Sequence, residues 1–540
     1  MDDHRAQDVG RLAYRHWLTR RFRRIERLTI LAVLAGLAWR IIRYAQAWPL
    51  WGDEGFVAMN FMLRDFAGMV RAPLEYGQIV PLGFMWAELG IVRVLGISEW
   101  SLRLLPLLCG LASLVLFWRF AHRILDRHAA MLAVAAMAAA FYPVRHCGEI
   151  KPYAGDMLVG LVLTWLAWSL VKRPDSTGRW VALCLIAAGG VWFFYPTVFV
   201  ASGLGTYLAW EALRRRSRRL LMGLAAFALV AGASFLAMYL LYARPHAEAN
   251  PWYWTIQTWK DAFPPITRPW LMPWWLLEIH CGNMLAYPVG GNHFASTGTF
   301  LLVLVGCVVL WRSRRRDLLL LLLCPLITTF LAAAMRKYPY GTSARVSLYM
   351  APAFCILAGL GASTLLRRCL PRRLAPEAFR VAGIALVLAV VVAIVLNVIW
   401  PYKTLADEDN RAAIREVAAQ TSPADRWIIA NALGDTKYSP ALTGTEAVTF
   451  RFYVTLLSPA PVQWAPPPSQ VAPAAGRTWL LYFADPEAAD QDGRARKFDA
   501  YRRTLTECLG LPRRQTFTLR KFDPKHPSPI IEVYEFPGRP

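Results

Sequence analysis

Residues 367–400 read RRCLPRRLAPEAFRVAGIALVLAVVVAIVLNVIW. An arginine-rich block runs straight into about twenty predominantly apolar residues, and a helix of that length crosses the hydrocarbon of a bilayer. After Pro401 the character changes, so this stretch is the last crossing of the chain. Working back from it, ten further apolar runs bounded by charge, Pro or Gly lie near 28–48, 101–122, 129–145, 154–171, 180–195, 197–211, 219–243, 298–311, 317–335 and 346–366. With 380–400 they predict a polytopic α-helical membrane protein of about eleven spans. Bulk composition agrees, since 56% of the 540 residues are hydrophobic and the mean hydropathy is +0.33.

Orientation follows from the basic residues. Arg20 to Arg27, Arg119 to Arg127, Lys172 to Arg179, Arg214 to Arg219, Arg312 to Arg316 and Arg367 to Arg380 occupy alternate connections, and such loops stay in the cytoplasm. The N-terminus is then cytoplasmic. Loops 49–100 and 244–297, the turns at 145–153, 195–196 and 336–345, and the tail 401–540 face outward. The net charge of +24 is thereby a topology signal, and a nucleic-acid partner is not expected. Ala45-Gln46-Ala47 resembles a signal-peptidase site and Thr19-Arg20-Arg21 a twin-Arg signal. Arg40 and Arg43 interrupt the stretch before any cut, which argues for an uncleaved anchor.

Residues 1–400 form the membrane domain and 401–540 an outer α/β domain. Strand-like runs occur at Trp427–Ala430, Thr478–Phe483, Gln515–Leu519 and Ile530–Phe536, with helical patterns over 406–420 and 495–508 and a Pro-rich stretch at Ala465-Pro466-Pro467-Pro468. Nine scattered cysteines show no CxxC spacing, so no zinc site follows; Cys147, Cys281 and Cys508 share the outer side, where one bridge among them can form.

Chemistry concentrates in the outward segments. Trp51-Gly52-Asp53-Glu54-Gly55 sets two adjacent carboxylates directly after the first span, ahead of an amphipathic helix over Phe56 to Phe66. Either Asp53 caps that helix while Glu54 complements its dipole, or a carboxylate in a partly dry cleft takes a proton from an acceptor. In Ser98-Glu99-Trp100-Ser101-Leu102-Arg103-Leu104-Leu105-Pro106 the i,i+4 spacing predicts a Glu99–Arg103 pair. Arg145-His146-Cys147-Gly148-Glu149-Ile150-Lys151-Pro152-Tyr153, followed by Asp156, is dense in ionisable groups that are costly at a membrane boundary unless they serve a purpose. Lys337-Tyr338-Pro339-Tyr340-Gly341-Thr342-Ser343-Ala344-Arg345 offers a guanidinium suited to phosphate. Loop 244–297 carries Trp252, Tyr253, Trp254, Trp259, Trp270, Trp274 and Trp275, the composition of an interfacial lid whose rings mostly meet lipid.

These elements, in this order, resemble the GT-C superfamily of membrane glycosyltransferases, especially the protein O-mannosyltransferase and lipid A aminoarabinose transferase group. The likeness covers roughly residues 25–400. It rests on the Asp53-Glu54 pair after one span, on Tyr76-Gly77-Gln78-Ile79-Val80-Pro81-Leu82-Gly83-Phe84, on Glu149-Ile150-Lys151-Pro152-Tyr153, and on the late loop ending at Arg345. Departures are Ile79 where many relatives have Lys or His, Val80 in place of a first proline, and Val57 in place of a Tyr.

The resemblance implies a polyprenyl-phosphate sugar donor, an envelope lipid, glycan or protein as acceptor, and inversion at the anomeric carbon, in a bacterial inner membrane. It implies Asp53 and Glu54 as catalytic carboxylates and Arg345, Lys151 and Arg145 as ligands of the donor phosphate. Glu149, Tyr153, Gln78 and Tyr340 would support them or touch substrate, with Glu149 fixing Lys151. No cofactor is required, although Asp53 and Glu54 could hold a divalent ion. A lipid transporter or flippase, or a non-catalytic envelope scaffold, would also account for the helices; few mid-membrane carboxylates and no inverted repeat count against transport.

Overall fold

A computed structural model describes residues 25–249, 259–399, 405–430, 445–471, 475–484, 491–520 and 528–538. The basic residues before 25, Trp252, Tyr253, Trp254 and Pro401 lie outside them. All eleven predicted spans are helical. The first helix covers 25–45, and the others include Thr177–Phe193, Thr197–Arg214 and Thr297–Arg312. Among the described residues six helices are long and apolar enough to cross a membrane, and a seventh span arises if Arg127–Ala139 and Phe141–Gly148, bent by 52°, are taken together. Thr177–Phe193 and Thr297–Arg312 are apolar but shorter.

The spans sort by position. Ala344–Cys369 is buried along almost its whole length, whereas Arg218–Glu248 and Ala375–Ile399 expose most of theirs. Two glycines let the central helices touch backbone to backbone: a Cβ on Gly306 would lie 2.2 Å from the Leu357 carbonyl, and one on Gly361 would lie 2.0 Å from that of Leu302. Small residues serve this purpose where both faces are apolar and hydrophobicity alone gives helices no reason to associate. Asn397 accepts from Trp39 Nε1 (3.0 Å) and Arg43 (3.1 Å), tying the last span to the first.

The basic loops gather at one end of the bundle. Arg367 pairs with Asp126 at 2.5 Å and Arg215 donates to the Val171 carbonyl at 2.8 Å. Ser101–Ile124 and Tyr153–Lys172 begin at the opposite end, which carries the acidic and aromatic motifs. There the stretch 49–100 is a helical platform rather than an open loop, with Gly52–Leu63 and Leu82–Leu95 as its main helices.

Gly52–Leu63 starts four residues earlier than expected, so both carboxylates sit in its first turn and Trp51, not Asp53, is the N-cap residue. The capping expectation for Asp53 is therefore wrong: Glu54 accepts from the Trp51 amide at 3.5 Å instead.

The C-terminal region folds around a five-stranded sheet, β1 (Arg426–Ile429), β2 (Val462–Trp464), β3 (Thr478–Ala484), β4 (Arg513–Thr518) and β5 (Ile530–Phe536), in the order β2-β1-β3-β5-β4. β1 runs parallel to β2 and β3, and β5 is antiparallel to β3 and β4. The four predicted strands and the helices Leu405–Gln420 and Gln491–Leu509 are present; β2 and the helix Thr445–Leu457 are additional. TFRFYVTLL has the β-branched and aromatic makeup of a strand, and burial overrides that preference. Phe450, Phe452, Tyr453 and Val454 pack into one core with Val57, Met59 and Phe61 of Gly52–Leu63. The two parts of the sequence therefore share a hydrophobic core. The nine cysteines are all free, Cys147, Cys281 and Cys508 included, so the possible bridge is not formed.

Candidate active site

Asp53 and Glu54 are neighbours in sequence and occupy different environments, because consecutive positions on a helix point about 100° apart. Glu54 is 1% exposed. Arg103 grips it with two bonds, Nε to Oε1 at 2.9 Å and a terminal nitrogen to Oε2 at 2.6 Å, and the Ile150 amide donates to Oε1 at 2.9 Å. Arg103 also donates to the carbonyls of Trp48 (2.6 Å) and Pro49 (3.2 Å). These bonds fix three segments to one another. Glu54 thereby holds the Asp53 helix to the turn before Lys151.

The predicted Glu99–Arg103 pair is not formed. Glu99 binds Arg411 (2.8 Å) and the Tyr453 hydroxyl (3.1 Å) of the C-terminal region, and Tyr453 accepts from the Leu50 amide at 2.8 Å. Spacing along a helix cannot reveal a stronger partner arriving from elsewhere in the chain.

Asp53 is the more accessible member of the pair. Its two oxygens meet two cations, Arg345 at 2.7 Å and Lys151 at 3.3 Å, and its side chain keeps 23% exposure. Burial would push this carboxyl's pKa up, but Lys151 and Arg345 outweigh burial and hold it below the usual carboxylate range. Lys151 is buried, which lowers its own pKa, while Asp53 opposes that effect. Its ammonium also reaches Gln78 Oε1 at 3.1 Å.

Arg345 lies over the ring of Trp259 at 5.1 Å. Of the lid's aromatic residues, Trp259 alone among those described takes part in the cation cluster; Trp270 and Trp274 are 72% and 59% exposed, as expected of rings that meet lipid.

A second layer lies behind these residues. Glu149 takes Arg145 on one oxygen (2.6 Å) and His146 Nδ1 on the other (2.7 Å). Arg145 and His146 keep its carboxyl well below the normal range in spite of burial. The expectation that Glu149 fixes Lys151 is thus corrected: Gln78 and Asp53 do so. Arg145, expected on the phosphate, is committed to Glu149 and rests over Trp51 at 5.4 Å, so it braces the start of the Asp53 helix. Tyr153 packs its edge against His146 at 5.1 Å.

Tyr340 stands apart from the carboxylate. Its hydroxyl meets His280 at 3.2 Å and its ring packs on Trp275 and Phe330, while its amide donates to the Ala262 carbonyl three residues beyond Trp259. It supports the lid segment rather than the cations.

Arg103 and Trp259 are the residues whose roles the sequence concealed. Arg103 stands inside a quoted motif with a misleading neighbour, and Trp259 is one tryptophan among many. Among the described residues no group of three or more His, Cys, Asp or Glu side chains is placed to hold a metal ion. With Glu54 taken by Arg103, Asp53 would be alone of the pair in any such site.

The sequence profile of the family described as "Dolichyl-phosphate-mannose-protein mannosyltransferase" matches residues 80–241. No curated protein matches the chain. Among solved structures, ArnT from Cupriavidus metallidurans superposes with a TM-score of 0.51 at 14% identity, over 93% of this chain and 97% of that one, both in the apo state and bound to undecaprenyl phosphate. The Archaeoglobus fulgidus oligosaccharyltransferase gives a TM-score of 0.46 at 10% identity over 93% of this chain and 72% of that one. The superposition on ArnT shows that the chain has that protein's fold, a helical membrane bundle joined to a small C-terminal sheet region.

Proposed function

We propose that this protein transfers a sugar from a polyprenyl-phosphate donor to an envelope lipid, glycan or protein on the outer face of the membrane, with inversion and with Asp53 as the base. The observation that carries this reading is the placement of Asp53 between Arg345 and Lys151 at 2.7 and 3.3 Å, beside a Glu54 that is fully engaged elsewhere. Arg345 and Lys151 both face that carboxylate, and a guanidinium beside an ammonium suits the oxygens of an incoming phosphate. The ArnT fold, described bound to undecaprenyl phosphate, supports a polyprenyl phosphate as that ligand.

The steps follow from this arrangement. Donor phosphate draws Arg345 and Lys151 toward its oxygens. A guanidinium can bind two of those oxygens at once, and the ammonium adds a point charge. As both cations turn from Asp53, its carboxylate becomes more basic and accepts the proton of the acceptor's nucleophile. That nucleophile bonds to the anomeric carbon from the side opposite the phosphate. The carbon–oxygen bond to phosphate breaks, and its electron pair leaves on the lipid phosphate, whose charge grows. The two cations therefore bind the departing group more strongly than the starting diester, and such fixed charges in a water-poor site are worth about 3–4 kcal/mol each in comparable oxyanion sites.

Purified protein incubated with radiolabelled polyprenyl-phosphate sugars and envelope extract tests the reading. Donor-dependent labelling that disappears in Asp53→Asn supports it. Labelling unchanged in that variant would remove Asp53 from the chemistry, and no labelling with any donor would turn the assignment toward transport.

A further inference from the structure

We propose that Arg451, in the C-terminal region, is a positioning residue for the donor-phosphate site: through Tyr76 and Gln78 it sets where the ammonium of Lys151 stands. This rests on the glycosyltransferase reading and gives the C-terminal domain a part in it.

The contacts form an unbroken line. Arg451 donates to the Tyr76 hydroxyl at 2.8 Å, and its guanidinium lies 5.1 Å from the ring of Trp464 in the edge strand β2. The Tyr76 carbonyl accepts from Gln78 Nε2 at 3.4 Å, and Gln78 Oε1 accepts from Lys151 at 3.1 Å. An amide has one donor end and one acceptor end, so anchoring the first on the Tyr76 carbonyl aims the second at the lysine. Lys151 is thereby shared between Gln78 and Asp53, and without Gln78 the buried ammonium would move fully onto the carboxylate.

The loop that carries Tyr76 is strained. Tyr76 has φ of 58° and Gly77 φ of 62°. A non-glycine residue in the left-handed region persists only where its surroundings hold it. Here the ring packs at 5.4 Å on Phe56, one turn along from Asp53, and Arg451 fixes the hydroxyl. At the far end of the same loop Tyr242 donates to the Val80 carbonyl at 3.2 Å, from a π-helical turn at Tyr239–Ala243. The segment in which Ile79 and Val80 stand is thus clamped at both ends, and the clamp nearer the carboxylate comes from the C-terminal domain. Anything that shifts Arg451 on that domain therefore shifts Lys151.

Equilibrium binding of undecaprenyl phosphate to the full-length protein in nanodiscs tests this, alongside transfer kinetics. Wild type should bind; if it does not, the donor reading itself falls and this inference with it. Given binding, Arg451→Ala and Tyr76→Phe should each weaken it about five- to tenfold, the scale of one ordinary hydrogen bond. The double variant should be no weaker than either single one, because both break the same line. Arg451→Lys should recover most of the affinity. The KM for donor should rise and kcat should fall in the variants, while the KM for acceptor holds. Arg520→Ala, which breaks an exposed ion pair with Asp409 elsewhere in the domain, is the control and should bind as wild type. Wild-type affinity in Arg451→Ala, additive losses in the double variant, or equal loss in the control would overturn the proposal.

Discussion

The adjacent carboxylates should separate cleanly by substitution. Glu54→Gln keeps shape and hydrogen-bonding capacity but removes the charge opposite Arg103, whose side chain is 6% exposed against 1% for Glu54. Breaking a buried ion pair from one side leaves the other charge uncompensated, at a cost of about 3–5 kcal/mol. The carbonyls of Trp48 and Pro49 still accept from Arg103, which places the loss at the lower end of that range. Asp53→Asn removes a carboxylate that is 23% exposed between two cations. The asparagine's amide oxygen can still accept from one of the two cations, so the effect on stability should be smaller, about 1 kcal/mol. Loss of a general base should nevertheless lower kcat by about a hundred- to ten-thousandfold. Fluorescence-detected thermal unfolding in detergent and radiolabel transfer, run on both variants, read the two quantities. Glu54→Gln should drop the apparent Tm by several degrees, with the folded fraction still turning over; Asp53→Asn should keep its Tm and lose turnover. The opposite pattern, with Glu54→Gln stable and inactive, would refute the division of labour.

In the donor-free enzyme Lys151 and Arg345 hold the Asp53 carboxyl below its usual value of 3.8, so kcat/KM should stay level as pH falls to about 4 and decline below it. Lys151→Met leaves burial unopposed on one side and should move that acidic limb to higher pH; an unmoved limb would show that another group sets it. Trp259→Ala removes the ring beneath Arg345 and should raise the donor KM about three- to tenfold without altering the acid limb, as measured by donor titration. Tyr453→Phe deletes the hydroxyl that links Leu50 to Glu99 and should cost about 1–3 kcal/mol of stability, visible as a lower Tm. Glu149 is held well below the carboxylate range, so the stability it contributes is present above about pH 4 and lost as pH falls further; Glu149→Gln should flatten that acid sensitivity in a pH series of unfolding midpoints.

Much of this was legible from patterns along the chain. Runs such as 380–400 are long enough to span the hydrocarbon, and a helix is the structure that satisfies their backbone there without water, so all eleven predicted stretches are helical. The likeness of Glu149 to Tyr153 and of the loop ending at Arg345 to a known family named the residues that meet Asp53. Spacing misled where partners came from afar. Glu99 and Arg103 sit four apart on one strip of chain, yet Arg411 and Glu54 claim them, because a desolvated charge takes whichever partner the packed core delivers. The helix Thr445–Leu457 was hidden for a related reason: its β-branched and aromatic residues suit a strand until they are buried against Gly52–Leu63.

The sequence by itself determined the membrane class, the alternation of basic loops and the short roster of ionisable groups, since each depends on local composition and length. Tertiary structure decided which of two adjacent carboxylates is locked in the core and which stays partly accessible. Asp53 and Glu54 have the same chemistry and the same neighbours in sequence. They differ in that one faces Arg345 and Lys151 with 23% of its side chain exposed, and the other faces Arg103, which the Trp48 and Pro49 carbonyls hold in place.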